Sequence, residues 1–192
     1  MQPADAQPDL LGGAPSPGDV QRLFFALVPP PALRDRIAAA AAAVERAHPS
    51  GGRMLKPDRY HLTLRFLGDF DPLPPSLADA ARAAGDAVPL RPFELLLDHA
   101  GSFGRNGVRW LGGPGSDALQ ALWRDLGDAL ARRGVRLPRE TSFAPHVTIA
   151  RAARAPPGRT PIDPLSWPVD GFALVLGRPG RPYEILHRRE AA

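Results

Sequence analysis

Residues 60–67 read Tyr-His-Leu-Thr-Leu-Arg-Phe-Leu. Leu62, Leu64 and Phe66 share one parity, and His61, Thr63 and Arg65 share the other. Successive strand side chains point to opposite faces, so this alternation predicts a half-buried β-strand whose polar face carries a histidine and a threonine about 7 Å apart. The pattern returns at His146-Val147-Thr148-Ile149, inside a strand-like run over residues 142–150. Two such strands facing each other across a cleft bring two imidazoles and two hydroxyls into one small volume.

Outward from these motifs, an apolar aromatic run at 22–28 is closed by Pro29, Pro30 and Pro31 and reads as a buried strand. Pro31 suits the first turn of a helix, in which Leu33, Ile37, Ala41 and Val44 recur at helical spacing until about residue 48. Gly51 and Gly52 break it, a short strand is expected at 54–55, and a turn at 57–59. A helix is expected over 77–88, then strands at 93–98 and 108–111 around a turn at 101–107. Leu119, Leu122, Trp123, Leu126 and Leu130 trace an amphipathic helix ending near Gly134. A Pro/Gly-rich connection over 155–168 and strands near 172–176 and 183–187 complete the chain. The order β-α-β-β-α-β-β-α-β-β-β favours an α+β fold with antiparallel sheets over a doubly wound parallel one.

At 192 residues the chain has the size of one domain with a real core. It contains no cysteine, which excludes disulfides, a thiolate nucleophile and Cys-based zinc sites, and fits a cytoplasmic location. Residues 1–20 are rich in Pro, Gly, Ala and Asp, without a basic start or apolar core; they read as a disordered tail before a single domain over 21–190. No apolar run is long enough to span a bilayer, and no membrane partner is expected. Net charge is +4 and Lys56 is the only lysine. Guanidinium groups grip phosphate oxygens in pairs, although GC-rich codons alone would also raise Arg together with Ala, Pro and Gly.

Hydrolysing a cyclic phosphate needs a base for the water and an acid for the departing ribose oxygen. Histidine, with an ordinary pKa of ~6.5, can serve as either near neutrality. Threonine hydroxyls can donate to the non-bridging oxygens. No HExxH, Cys/His cluster, P-loop or GxGxxG is present, so neither a metal nor a cofactor is expected. His48, His99 and His187 read as caps or surface residues, and Phe24, Phe25, Phe66, Phe93, Trp110 and Trp123 as core. Tyr60, Phe143 and Tyr183 adjoin the motif elements and are candidates to stack on a nucleobase. A catalytically silent nucleotide-binding module remains open at this level.

Together with RLFFALVPP at 22–30, HLTLRFLGD at 61–69, PHVTIAR at 145–151 and GRPYEIL at 180–186, the two tetrads make the chain resemble the 2H phosphoesterase superfamily. Within it, the chain is similar to the bacterial and archaeal RNA 2′,3′-cyclic phosphodiesterases once described as 2′-5′ RNA ligases. The resemblance implies a two-lobed α+β fold with pseudo-two-fold symmetry, antiparallel sheets around a central cleft and helices outside. It implies metal-independent hydrolysis of RNA 2′,3′-cyclic phosphate ends to 2′-phosphomonoesters, with weak reverse 2′-5′ ligation and no obligate protein partner. His61 corresponds to the proton donor and His146 to the acceptor, with Thr63, Thr148 and Arg151 at the phosphate. Strict alternation, however, sets Arg151 on the face of Val147 and Ile149, away from the cleft. Many relatives carry a serine where this chain has Gly177. A small cyclic nucleotide or a 2′-5′ oligoadenylate is the alternative substrate on the same scaffold.

Overall fold

The computed structural model describes residues 20–103, 107–138, 143–154 and 159–191. The expected tail therefore lies outside the described residues, apart from Val20. The apolar runs and amphipathic stripes become β1 (Gln21–Leu27), α1 (Pro31–Ala47), β2 (Arg53–Met54), a 3-10 turn (Pro57–Arg59), β3 (Leu62–Phe70) and α2 (Pro75–Asp86). There follow β4 (Phe93–Phe103), β5 (Val108–Gly112), α3 (Asp117–Arg132), β6 (Val147–Arg151), β7 (Thr160–Val169), β8 (Gly171–Gly177) and β9 (Glu184–Glu190). Pro31 and Pro75 sit in the first turns of α1 and α2, where a missing N–H costs nothing. Ser116 caps α3, its hydroxyl accepting from the Leu119 amide at 3.1 Å.

The strands form one antiparallel sheet in the order β7-β4-β5-β6-β3-β1-β8-β9, with β2 against β6. At its centre β3 and β6 pair through a single residue position, Leu62 opposite Val147. The two lobes expected from the sequence are thus two half-sheets, β7-β4-β5-β6 and β3-β1-β8-β9, joined by that narrow seam. The helices exchange sides. α1, leaving β1, packs on β7 of the other half, and α3, leaving β5, packs on β3. Leu62, Leu64, Val147 and Ile149 are all buried in the core beneath the helices. A smaller apolar cluster of Phe24, Ala26, Ala173 and Val175 lies on the opposite face, with Phe66 and Tyr183 packed against it.

The period-2 reading fails at one point in each motif, and at the same point. On β3, Thr63 faces Ala26 of β1, but Arg65 faces the adjacent Phe25, leaving Leu64 as an extra residue. On β6, Thr148 faces Trp110 of β5, but Ala150 faces the adjacent Arg109, leaving Ile149 extra. Such a bulge reverses the alternation beyond it. Arg65 consequently turns toward the helices, where its Nε donates to the Trp123 carbonyl at 2.9 Å and its guanidinium lies 3.4 Å from the Trp123 ring centroid. Phe66 joins the other face beside Phe24. The equivalent reversal on β6 buries Ala150 and turns Arg151 outward, onto the face that strict alternation denied it.

Other expectations are corrected by edge position. The connection expected over 155–168 contains β7 from Thr160 onward, residues 155–158 lying outside the described set. An edge strand with β4 as its only neighbour among the described residues tolerates Pro161, Pro164 and Pro168, while Leu165, Trp167 and Val169 alternate into the core. The turn expected over 101–107 begins later, because β4 continues to Phe103; residues 104–106 lie outside the described set.

Arg109, opposite the β6 bulge, is buried and forms an ion pair with Glu45 of α1. Glu45 also accepts from the Ser50 amide at 2.7 Å and the Ser50 hydroxyl at 2.8 Å. Glu45→Ala strands a buried cation and should lower unfolding free energy by about 3–5 kcal/mol, as urea denaturation will measure.

Candidate active site

His61 and His146 each stand one residue ahead of a strand, where the backbone is free of the ladder. Carrying the Leu62–Val147 register one step each way sets His61 opposite Thr148 and Thr63 opposite His146. All four are half-buried, on the face away from the helices. His61 Nδ1 lies 2.8 Å from the Arg59 carbonyl, and His146 Nδ1 lies 2.7 Å from the Ala144 carbonyl. A carbonyl only accepts, so Nδ1 carries the hydrogen in both rings. Nε2 is then the nitrogen left to take or give a proton, and the two rings are held in the same tautomer by equivalent bonds two residues upstream.

Aromatic rings bracket each imidazole. His61 lies 5.0 Å from Phe24 and 5.2 Å from Tyr183, while His146 lies 4.9 Å from Phe103 and 6.4 Å from Trp110, between centroids. Glycines make room for this wall. A Cβ at Gly101 would come within 2.4 Å of the Trp110 indole, and one at Gly112 within 2.9 Å. Gly177 plays the same part on the other side, since a Cβ there would reach the Tyr183 ring at 3.0 Å. A side chain at this position would press on the Tyr183 ring, which lies 5.2 Å from His61 between centroids.

Of the three rings proposed for base stacking, Tyr60 is 2 % exposed and belongs to the main core, which removes it from that role. Phe143 is stacked on Trp123 at 5.3 Å and packed against the core, which makes its ring a support for α3. Tyr183 alone stands at the cleft, with the Arg59 guanidinium 4.2 Å from its ring centroid. Phe24 and Trp110, expected as plain core, flank the histidines, and Phe103 comes from what read as a turn. Glycines at 101 and 112 on either side of Trp110 were the available signal. Among the other histidines, His48 caps α1 through its backbone N–H, and His187 Nε2 meets Asp86 at 2.8 Å. His99 is buried instead of exposed, with Nδ1 2.5 Å from Asp98 and its ring 5.4 Å from Trp110.

Burial pushes the His61 pKa down to about 4, with His146, Arg151 and Arg59 adding repulsion. Burial also lowers His146, and Arg151 adds to it. Arg151 therefore acts on both rings, as its outward turn requires. On the Arg59 and Tyr183 side of His61 a cleft of about 920 Å³ is walled by residues including Arg53, Lys56, Arg151, Arg181 and Tyr183. A second, mostly apolar groove of about 590 Å³ runs between α1 and β7, away from the histidines. Among the described residues no group of three or more His, Asp or Glu is placed to hold a metal ion, and no helix is long and apolar enough to cross a membrane.

Two tautomer-fixed imidazoles, each set opposite a threonine across the seam, define a site for acid–base chemistry on an anionic substrate. A sequence model of the 2′-5′ RNA ligase superfamily matches residues 24–180, and the chain belongs to that superfamily. It is 33% identical over 182 residues to an RNA 2′,3′-cyclic phosphodiesterase of Thermus thermophilus, covering 87% of this chain and 88% of the relative. The corresponding Escherichia coli protein is 35% identical over 139 residues, covering 69% and 73%. Among solved structures, Escherichia coli LigT in complex with 3′-AMP superposes with a TM-score of 0.75 at 29% identity, covering 90% of this chain and 99% of that one.

The lowered pKa values set a direction. Both rings are held neutral in the fold, so the stability this confers is complete above pH 6.5 and lost as pH falls toward 4. In the free protein, NMR titration should place His61 near pH 4 and His146 below 6.5.

Proposed function

We propose that the chain hydrolyses the 2′,3′-cyclic phosphate at the end of an RNA and leaves a 2′-phosphomonoester. The observation that carries this reading is the mirrored pair of Nδ1 bonds to the Arg59 and Ala144 carbonyls, which leaves two Nε2 atoms to act on one phosphate. In the proposed step His146 Nε2 takes a proton from water as the water oxygen bonds to phosphorus. The bond from phosphorus to the 3′ oxygen breaks, and His61 Nε2–H supplies that oxygen with a proton. Thr63 and Thr148 donate to the non-bridging oxygens, and Arg151 faces the charge that accumulates there. A cyclic phosphate monoanion beside His61 opposes the effect of burial and raises its pKa, which provides the donor form.

A silent binding module has no need to hold both rings in one tautomer with the proton-transfer nitrogen free. The relatives named as RNA 2′,3′-cyclic phosphodiesterases support RNA ends as substrate ahead of a small cyclic nucleotide or 2′-5′ oligoadenylate. We read the protein as cytoplasmic, in keeping with the absence of cysteine.

Incubated in EDTA with a short RNA ending in a 2′,3′-cyclic phosphate, the purified protein should yield a 2′-phosphate end. His61→Ala and His146→Ala should each lower kcat by at least about 10²-fold, the lower range of a positioned acid or base. A 3′-phosphate product, or near-normal turnover in either variant, would sink the assignment.

The pH dependence of kcat/KM reports the free protein. It should be bell-shaped with both limbs on the acid side of 6.5, because both histidines are lowered. A profile still rising above pH 7 contradicts this.

A further inference from the structure

The cleft next to His61 carries more positive charge than one cyclic phosphate requires. Seven cations contribute to its wall, Arg22, Arg53, Lys56, Arg59, Arg151, Arg178 and Arg181, against one carboxylate, Asp58. Three are already engaged: Arg22 with Asp69, Arg178 with Glu184, and Arg59 with the Arg181 carbonyl and the Tyr183 ring. Arg53, Lys56, Arg151 and Arg181 have no carboxylate partner among the described residues. Arg151 faces the reacting phosphate in the reading above, which leaves Arg53, Lys56 and Arg181.

The sheet register adds an independent observation. Arg53 of β2 stands directly opposite Arg151 of β6. Like charges in opposed strand positions are destabilising unless an anion lies between or over them. The charge is also one-sided. The flank of His146 is built from Phe103 and Trp110, whereas cations extend from Arg151 through Arg53 and Lys56 on one wall to Arg181 on the β8–β9 hairpin. At about 920 Å³ the cleft is at the upper end of single-ligand sites, which run to ~1,000 Å³.

We infer that Arg53, Lys56 and Arg181 form a second anion subsite for the phosphodiesters immediately upstream of the cyclic end. The protein then selects oligonucleotide ends over mononucleoside 2′,3′-cyclic phosphates. This rests on the proposed activity. The upstream phosphate of the RNA supplies a counter-charge to the opposed pair Arg53 and Arg151.

The test compares a trinucleotide ending in a 2′,3′-cyclic phosphate with the matching mononucleoside cyclic phosphate. At ~0.1 M salt the trinucleotide should have a kcat/KM at least about tenfold higher, and its dependence on log[salt] should steepen by about 0.7 for each added phosphate contacted. In the Arg53→Ala/Lys56→Ala double variant and in Arg181→Ala the ratio should fall toward one. Arg132→Ala, which removes an exposed charge on the last turn of α3, should leave the ratio intact. A ratio near one in the unaltered protein, or an equal fall in Arg132→Ala, overturns the subsite. If neither compound is hydrolysed, the proposed activity fails, and binding still decides the subsite. A fluorescent trinucleotide must then bind the His61→Ala protein at least tenfold more tightly than the mononucleotide, with the same loss in the arginine variants; equal binding refutes it.

Discussion

The single pairing of Leu62 with Val147 governs the architecture of the site. Were β3 and β6 paired along their length, the sheet would be continuous through its centre and each histidine would be locked in the ladder opposite a threonine. Were they unpaired, the half-sheets would be free to shift, and the two imidazoles would have no fixed separation. One buried contact between two apolar side chains fixes register and polarity while leaving the strand ends open. The histidines occupy those ends, where their side chains bond to backbone carbonyls just upstream instead of to each other.

The bulges supply the second constraint. By inserting Leu64 and Ile149 at equivalent places, they let each strand keep a threonine on the cleft face and then turn the next polar or bulky side chain with it. Position by position, Phe66 on one strand corresponds to Arg151 on the other. The repeat is therefore symmetric in backbone and asymmetric in charge. His61 is flanked by the rings of Phe24 and Tyr183, while the charge of Arg151 disfavours the protonated form of both histidines. The carbonyl of the extra residue Ile149 does not go unsatisfied, because the Leu55 amide donates to it at 2.8 Å.

Much of this was legible from residues 60–67 and 146–149, since period-2 patterning reports burial directly and the repeated His-x-Thr places chemistry on one face. The α+β class, the three helices and both motif strands follow from local pattern. What escaped was set by partners distant in the chain. Arg151 depends on the slip of β6 against Arg109 and Trp110, which no property of residues 145–151 announces. The proline-rich β7 reads as a loop because the position that excuses its prolines is its place at the sheet edge. Tyr60 neighbours His61 in sequence, yet adjacent residues point to opposite faces, and it enters the core. Trp110 and Phe103 become part of the site only because β5 and β4 lie beside β6.

The exchange of α1 and α3 across the seam bears on how such a repeat can be divided. The half-sheet β7-β4-β5-β6 comes from the middle of the chain but takes α1 from before it, while β3, in a half-sheet built from both ends, takes α3 from that middle segment. A polypeptide cut between the halves would part β7 from α1 and β3 from α3, leaving only α2 in place on β8 and β9. Such fragments could recover their cores only by trading helices with each other, so the evolutionary unit behind the two motifs is better pictured as an interlocked pair than as a domain able to stand alone.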